Sequence, residues 1–299
     1  MSAIEVKNLK KSYGDIKALK GVSFKIKKGA FSVILGKNGA GKSTLIEIIT
    51  MLKNQDSGQV FINSKKAKQS EPSLRNSLGI VFQKSTLDNI LTVKENLMLR
   101  SGLYNIGKQE FEKQINYLDQ KLNFKSFYNQ KVATLSGGQR RKVDILRALL
   151  HKPEILILDE PTTGLDAQSR KQIWSVIMEL QKQEGITVIL TTHYLEETND
   201  ADQAIIIDKG ILLEDETPAN LKSKYLKSHL KVWAKNEQNF LKKLKQDEVN
   251  FNIKNNYILL NVNTSFNAVD LVNTYKKYIK DFEILKSTMD EVFLNLTVN

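Results

Sequence analysis

The sequence predicts an α/β fold with a mostly parallel core sheet, followed by a smaller α+β domain. Short apolar runs such as Ile155–Leu158 and Thr187–Thr191 alternate with amphipathic helical stretches, a pattern typical of strands and crossover helices in a parallel sheet. Beyond residue 220, shorter segments follow one another in the order β-α-β-β-α-β. That order is typical of a separate two-layer unit.

The N-terminal part is predicted to consist mainly of strands. Val22, Phe24 and Ile26 alternate with polar residues, and the apolar run Phe31–Leu35 has the composition of a buried strand. This run ends in a glycine-rich loop, after which Ser43–Leu52 has helical character. Further strands are predicted at Ser57–Asn63 and Leu78–Phe82.

Between Thr92 and Leu150 the pattern becomes helical, with apolar residues three or four positions apart. The helices predicted there are Val93–Ser101, Lys108–Leu122 and Gly138–Leu150. This stretch, about residues 84–150, is predicted to be a helical subdomain inserted into the core. After it, the predicted elements are strand Ile155–Leu158, helix Gln168–Lys182, strand Thr187–Thr191, helix Tyr194–Asn199 and strand Gln203–Ile207.

A domain boundary is predicted just after Thr217-Pro218, because proline suits the first turn of a new helix. We therefore expect one domain at 1–219 and a second at 220–299. The elements predicted in the second domain are strand Leu230–Ala234, helix Glu237–Lys245, strand Val249–Ile253, strand Tyr257–Val262, helix Phe266–Ile279, strand Phe282–Leu285 and helix Met289–Leu296. Their order is the split-βαβ pattern of ferredoxin-like domains, with one extra helix.

Composition narrows the functional classes without choosing one. The 299 residues are 41% hydrophobic and 26% charged, with a formal net charge of +12, which fits a globular chain and favours an anionic partner. Nucleic acid, an acidic membrane surface and phosphates are all anionic partners of this kind. The absence of cysteine excludes disulfides and thiol chemistry. The N-terminus lacks the apolar core of a secretory signal, and every apolar run is far shorter than the ~20 residues of a membrane span.

The glycine-rich loop after Phe31–Leu35 fits the phosphate-loop pattern G-x-x-x-x-G-K-[ST] between a strand and a helix. Its nucleotide-binding residues are predicted to be Gly36, Lys37, Asn38, Gly39, Ala40, Gly41, Lys42, Ser43 and Thr44. The glycines allow successive N–H groups to point at a phosphate, and the following helix adds its positive dipole end. We expect Lys42 to reach the β- and γ-phosphates, and the Ser43 hydroxyl to ligate Mg²⁺.

Two carboxylates follow the apolar strand Ile155–Leu158. A carboxylate at the carboxyl end of a parallel strand lies over the nucleotide crevice, so Asp159 is predicted to hold Mg²⁺ directly or through water. Successive side chains on a strand diverge, which leaves Glu160 to polarise the attacking water. Taken alone, an Asp-Glu pair here also fits a solvated strand end.

A second anion-binding helix N-terminus is predicted at Leu135, Ser136, Gly137, Gly138 and Gln139, with Ser136 as its N-cap. A Ser-Gly-Gly helix start requires no function by itself. Two phosphate sites in one chain are explained by a two-fold dimer, in which each γ-phosphate lies between one subunit's loop and the other's Ser136 helix.

These motifs resemble those of the ATP-binding subunits of ATP-binding cassette (ABC) transporters. The runs GKNGAGKST at 36–44, LSGGQRRKV at 135–143, ILILDEPTTGLD at 155–166 and TTH ending in His193 stand in the order and spacing of that family. The resemblance covers about 215 residues. It implies a P-loop cassette with an N-terminal antiparallel β part, two ATP molecules at a head-to-tail dimer interface, and ATP hydrolysis coupled to transport.

The resemblance also implies roles for four further residues. Tyr13 matches the aromatic residue that stacks on adenine, although an exposed turn tyrosine explains it equally well. Gln83 matches the glutamine that approaches Mg²⁺ and the water, and is counted with Glu160, His193 and Lys42 as catalytic. Asp166 matches the loop that crosses the dimer interface. His193 matches the histidine that touches the γ-phosphate.

The stretches FQKSTLDNILTVKENL at 82–97 and STMDEVFLNLT at 287–297 resemble those of ABC-2-type exporter ATPases for drugs, antibiotic peptides or polysaccharides. The implied partners are a separate polytopic membrane subunit, with its short helix in a groove beside Gln83, and a second copy or a homologous cassette. The implied location is the cytoplasmic face of the cell membrane. A soluble ABC-type ATPase acting on nucleic acid or ribosomes is the alternative; the single cassette disfavours it.

The net charge is concentrated at the domain junction. Residues 222–245 contain eight lysines and one glutamate. Lys222, Lys224, Lys227 and Lys231 are candidates for contact with anionic lipid headgroups, with a solvated face as the equal alternative. The C-terminal unit is interpreted either as a ligand sensor or as a dimerisation or packing module.

Overall fold

The computed structural model describes residues 1–68, 71–192, 194–225, 228–262, 265–285 and 288–297. The chain divides into two compact units, Met1–Thr217 and Pro218–Asn299. The boundary predicted from the sequence, between residues 219 and 220, lies two residues further along the chain. Within the described ranges, no helix is long and apolar enough to cross a bilayer.

The larger unit contains ten strands and six α-helices within its described residues. The strands are β1 (Ser2–Tyr13), β2 (Ile16–Lys27), β3 (Phe31–Leu35), β4 (Ser57–Ile62), β5 (Lys65–Lys66), β6 (Leu78–Val81), β7 (Ile155–Asp159), β8 (Thr187–Thr192), β9 (Gln203–Asp208) and β10 (Ile211–Glu216). The helices are α1 (Lys42–Ile49), α2 (Pro72–Asn76), α3 (Val93–Leu103), α4 (Lys108–Leu122), α5 (Gly137–Leu149) and α6 (Ala167–Glu184).

The core sheet has six strands in the order β10-β9-β3-β8-β7-β6. Its five strands from β9 to β6 are parallel, and β10 pairs with β9 antiparallel. Every residue of β3 and β8 is buried, as expected for strands covered on both faces. Because the strands are parallel, the loops after β3, β6, β7 and β8 meet at one edge of the sheet.

The predicted antiparallel N-terminal part is confirmed. A second sheet has the order β2-β1-β4-β5, and its strands pair antiparallel. Val6, Leu9 and Val22 of this sheet are buried together with Leu45 and Ile49 of α1. The two sheets therefore enclose α1, the helix that follows the glycine-rich loop.

The helical stretch contains α3, α4 and α5, close to the predicted bounds. Thr92 and Glu95 form a capping box at the start of α3, and Ser136 and Gln139 form one at the start of α5. Each box pairs two otherwise unsatisfied N–H groups with side chains, which determines where the helix begins.

Some predicted elements were wrong. The helix predicted at Tyr194–Asn199 is a short 3₁₀ turn at Leu195–Thr198, and α1 ends at Ile49 rather than at Leu52. Thr50 ends α1 because its backbone N–H bonds to Ile46 while its ψ leaves the helical range. β10 has no counterpart among the predicted strands.

The smaller unit contains α7 (Pro218–Tyr225), β11 (Ser228–Ala234), α8 (Glu237–Gln246), β12 (Phe251–Lys254), β13 (Tyr257–Val262), α9 (Ser265–Tyr275), β14 (Ile279–Leu285) and α10 (Met289–Thr297). Its antiparallel sheet has the order β12-β13-β11-β14. In chain order this is 2-3-1-4, the arrangement of a ferredoxin-like unit. The helix predicted at Phe266–Ile279 ends at Tyr275, and β14 begins three residues before the predicted strand.

Candidate nucleotide-binding site

The loop between β3 and α1 depends on glycine at two positions. A Cβ at Gly36 would lie 2.4 Å from the carbonyl oxygen of Ile207, so any side chain there would displace β9. Gly41 has φ +106°, and a Cβ on it would lie 2.6 Å from the carbonyl oxygen of Ala18. Only glycine adopts such a backbone without strain. The tight curl aims the first N–H groups of α1 into the cleft.

Lys42 lies within the curl of this loop. Its Nζ donates to the carbonyl oxygens of Gly36 at 2.7 Å and Lys37 at 3.2 Å, and the residue is 6% exposed. Burial lowers the pKa of Lys42, while the negative charges of Glu160 and Asp159 act in the opposite direction. The two carbonyls hold the ammonium group within the loop, where it is well placed to donate to a bound phosphate.

The loop opens onto a cleft of about 920 Å³. The residues that line it are Tyr13, Asp15, Ile16, Lys17, Ala18, Lys20, Lys37, Asn38, Gly39, Gly41, Lys42, Ser43, Thr44, Gln83, Glu160, Thr163 and Lys209. The structure thus brings Tyr13, the phosphate-loop residues, Gln83 and Glu160 to one cleft. Tyr13 is 40% exposed, and the ammonium groups of Lys11 and Lys53 lie 5.6 and 5.2 Å from its ring centroid.

The two carboxylates after β7 have different surroundings. Asp159 accepts a hydrogen bond from the Thr191 hydroxyl, and burial raises the pKa of Asp159. Glu160 has φ +44°, a left-handed conformation that costs a non-glycine residue about 1–2 kcal/mol. Its backbone N–H donates to the Thr191 carbonyl at 3.0 Å, which fixes the turn. This turn directs the Glu160 side chain into the cleft.

Two side chains donate to the Glu160 carboxylate. The Gln83 amide donates to Oε2 at 3.0 Å, and the Thr163 hydroxyl donates to the same oxygen at 3.2 Å. Gln83 follows β6 and Thr163 follows β7, so neighbouring strands supply both groups. The Glu160 side chain is thereby oriented by groups on either side of it.

Arg141 is a structural residue of the site that the sequence reasoning missed. It is 7% exposed, and its guanidinium donates to the carbonyl oxygens of Pro161 at 2.6 Å, Phe82 at 2.6 Å and Asp159 at 3.1 Å. It therefore ties α5 to the segments that carry Gln83 and Glu160. The signal was its place on the buried face of α5, three residues before the buried Asp144.

The donor set of the site fits a magnesium ion held largely by nucleotide phosphates. Ser43, Gln83 and Asp159 offer hydroxyl, amide and carboxylate oxygens, the ligands that Mg²⁺ prefers. Among the described residues, no group of three or more His, Cys, Asp or Glu side chains forms a metal cage. Few protein ligands are expected for Mg²⁺ at a nucleotide, because it keeps waters and phosphate oxygens.

Among the described residues, neither the start of the Ser136 helix (Leu135–Gln139) nor Asp166 lines this cleft. They are close to each other instead. Asp166 caps α6 by accepting from the N–H and the hydroxyl of Ser169, at 2.8 and 2.7 Å. A Cβ at Gly138 would lie 2.6 Å from the same Ser169 hydroxyl. His193 lies outside the described residues.

Comparison with known proteins gives consistent results along the larger unit. The family model described as ABC transporter matches residues 19–163. The linearmycin resistance ATP-binding protein LnrL of Bacillus subtilis is 38% identical over 222 residues, which are 74% of this chain and 71% of that protein. The doxorubicin resistance ATP-binding protein DrrA of Mycobacterium tuberculosis is 36% identical, over 74% of this chain and 67% of its own length.

Solved structures agree with these sequence matches. The dimeric ATP-binding cassette MJ0796, bound to ADP and Pi in a post-hydrolysis state, superposes with a TM-score of 0.65 and 31% identity. That match covers 72% of this chain and 98% of MJ0796. The predicted cassette fold of the larger unit is confirmed.

Proposed function

This chain belongs to the ABC transporter family and is an ATPase, and on that premise we propose that it powers export of a substrate through a separate membrane subunit. The names of the relatives support export, since they refer to resistance to linearmycin and doxorubicin. The proposed location is the cytoplasmic face of the cell membrane, where the membrane subunit holds the chain.

One observation carries the proposed dimer: the Ser136 helix does not line the nucleotide cleft of its own chain. Ser136 caps the N–H of Gln139 at 3.2 Å, while the N–H groups of Gly137 and Gly138 have no acceptor within the helix. A second copy related by a two-fold axis supplies these N–H groups to the γ-phosphate of the first. Asp166 is proposed to lie at the same interface, because Ser169 connects it to Gly138.

Each residue of the cleft has a proposed part in hydrolysis. The Glu160 carboxylate, oriented by Gln83 and Thr163, accepts a hydrogen bond from the attacking water. Lys42 stabilises charge on the transferring phosphoryl group, and His193 is proposed to do so from the segment after β8. When bound, Mg²⁺ would neutralise phosphate charge, with Ser43, Asp159 and Gln83 as its protein contacts.

A groove beside the Gln83 loop is proposed to receive the membrane subunit. It measures about 590 Å³ and is lined by Thr50, Met51, Leu52, Arg75, Leu78, Ile80, Phe82, Thr86, Arg100, Tyr104 and Arg147. Three of the six arginines of the chain are among them. None of these described lining residues is acidic. An apolar groove with arginines fits a short helix that carries a carboxylate.

Arg100 and Arg147 contribute two positive charges to this groove. Arg147 is 7% exposed, and its Nη2 donates to the Ile80 carbonyl at 2.8 Å. In the described structure, the Nε atoms of Arg147 and Arg100 are buried and have no hydrogen-bond partner. Burial and the charge of Arg100 lower the pKa of Arg147. A carboxylate from a partner helix would be attracted by the positive charge of these two arginines.

The decisive experiment uses Glu160→Gln, which keeps the size of the side chain and removes the carboxylate. We expect the variant to bind MgATP normally, to lose most of its ATP turnover, and to accumulate a dimer in size-exclusion chromatography with MgATP. Lys42→Ala is the control, expected to bind no nucleotide and to stay monomeric under the same conditions.

Normal hydrolysis by Glu160→Gln would remove Glu160 from the proposed role. ATPase activity that depends on RNA or DNA would instead support the alternative of a soluble ATPase acting on nucleic acid. Contact between the junction lysines and anionic lipid remains a prediction, and Lys227 lies outside the described residues.

A further inference from the structure

The sheet of the smaller unit has one face covered by helices and one face that is partly exposed. Leu230, Val232, Ile258 and Leu260 pack with Phe240 of α8, and α9 contributes to the same cluster. Side chains alternate along a strand, so the residues between these point to the other side. This outer face includes Lys231 and Trp233 of β11, Lys254 of β12, Tyr257 and Leu259 of β13, and Asp281 and Glu283 of β14.

An aromatic and cationic cluster lies at the centre of the outer face. The ring centroids of Trp233 and Tyr257 are 6.2 Å apart. Lys231 Nζ lies 4.5 Å from the Trp233 ring and 4.7 Å from the Tyr257 ring, and pairs with Glu283 at 3.3 Å. Trp233, Tyr257 and Leu259 are all partly exposed. Such side chains form the contact area of protein interfaces.

The two edges of the outer face have opposite charge. Lys254 pairs in register with Tyr257 on one edge, and Asp281 pairs with Trp233 on the other. Both charged residues are exposed, and within the described ranges neither forms an ion pair. Three strand spacings separate them, about 14 Å, which is too far for them to meet within one chain.

We propose that the outer face binds the outer face of a second copy of this chain. The two-fold axis lies between the two faces and runs parallel to the strands. Each row of cross-strand neighbours then lies opposite the same row of the partner, with its two ends exchanged. Tyr257 then faces the partner's Trp233, and Lys254 faces the partner's Asp281. The same face is therefore complementary to itself in charge, and its two aromatic residues face each other across the axis.

Single-stranded RNA is the competing occupant, because aromatic residues on an open four-stranded sheet stack on bases. The acidic edge disfavours it: Asp281 and Glu283 lie on the face that phosphates would approach. A second copy uses both the acidic and the basic edge, whereas RNA uses only one.

The paired faces form a small interface. A four-stranded face of this length covers a few hundred Å² per copy, below the ~600 Å² per copy at the lower limit for stable complexes. The contact is therefore weak by itself. It acts as a tether that raises the effective concentration of one cassette near another, independently of nucleotide.

The test measures self-association of the full chain by sedimentation equilibrium without nucleotide, so its result does not depend on the ATP-bound dimer. Lys254→Glu and Asp281→Lys should each weaken self-association by about tenfold, because each variant places like charges opposite each other twice. A one-to-one mixture of the two variants should restore association, since both contacts between unlike chains are then attractive. The double variant should restore it as well.

Lys242→Glu is the matched control. It makes the same charge change on α8, which packs on the covered face, and should leave association unchanged. Circular dichroism verifies that each variant is folded. Self-association of both single variants at the level of the unchanged chain would overturn the proposal, as would a mixture that fails to restore it. Binding of oligouridylate that Trp233→Ala abolishes, in a chain without self-association, would overturn it in favour of RNA.

Discussion

The side-chain amide of Gln83 donates a hydrogen bond of 3.0 Å to the carboxylate of Glu160. The two residues follow neighbouring parallel strands, β6 and β7, whose paired residues include Val81 and Leu158. Gln83 also begins the segment that leads to the helical subdomain. The hydrogen bond therefore links the start of that segment to the Glu160 carboxylate in the nucleotide cleft.

Gln83→Ala is expected to lower kcat for ATP hydrolysis by about tenfold or more, because Glu160 loses a hydrogen bond that orients it. The KM for ATP should change less than kcat, since Lys42, the loop amides and the proposed Mg²⁺ contacts of Ser43 and Asp159 remain. Steady-state ATPase assays measure both. Gln59→Ala, on the exposed side of β4, is the control and should behave as the unchanged chain does. A large increase in KM with an unchanged kcat would contradict this prediction.

Strands buried on both faces were predictable because composition alone identifies them. In β7 every residue from Ile155 to Leu158 is apolar and buried. β10 escaped prediction because its residues Glu214, Asp215 and Glu216 have the composition of a loop. It is a strand because it pairs with β9 at the edge of the sheet, and edge strands accept charged residues. Pairing across the chain is a tertiary effect that local periodicity does not contain.

The site was predictable where its residues form a contiguous motif and unpredictable where distant segments meet. The sequence predicts that Lys42 and Glu160 share a cleft, and the structure places both there. The contacts of Thr191 with Asp159 and Glu160, and those of Arg141 with three carbonyls, involve segments 18 to 59 residues apart. The sequence does not distinguish a buried arginine from a solvated one, so the role of Arg141 could be recognised only from the packing of α5.

Two capping boxes allow the role of the Ser136 helix to be separated from its stability. Ser136→Ala and Thr92→Ala each remove an N-cap from a helix of the same subdomain, and each should lower the free energy of unfolding by about 1 kcal/mol. Only Ser136→Ala is expected to weaken the ATP-bound dimer of the Glu160→Gln background. Urea unfolding and size-exclusion chromatography measure the two effects. Equal dimer loss in both variants would mean that helix stability alone is responsible.

Arg100 offers a test of the groove beside the Gln83 loop. Arg100→Glu is expected to reduce copurification with the proposed membrane subunit by about tenfold, because it opposes a partner carboxylate. Lys94→Glu is the control on the same helix, since Lys94 is exposed and does not line the groove. ATP binding should be unaffected in both. Equal retention of the membrane protein by the two variants would argue against an acidic partner helix.

His151 gives the cassette a pH-dependent stability that can be measured directly. Its ring stacks on Tyr104 with centroids 3.9 Å apart, and Nε2 bonds to the Leu78 carbonyl at 3.0 Å. Its Nδ1 is buried and has no hydrogen-bond partner in the described structure. Burial, with the charges of Arg100 and Arg147, lowers the pKa of His151 to about 4. The unfolded chain binds this proton near pH 6.5, so stability is full above pH 6.5 and falls as pH decreases toward 4.

Between pH 7 and pH 5 the loss attributable to His151 is expected to be about 1–2 kcal/mol. His151→Phe keeps an aromatic ring against Tyr104 and removes the titrating group. Urea unfolding of both proteins at both pH values isolates the effect, because all other groups titrate alike in the two chains. The variant is expected to lose less stability than the unchanged chain on acidification. An equal loss in the two proteins would show that His151 is protonated in the folded state, contrary to its buried position.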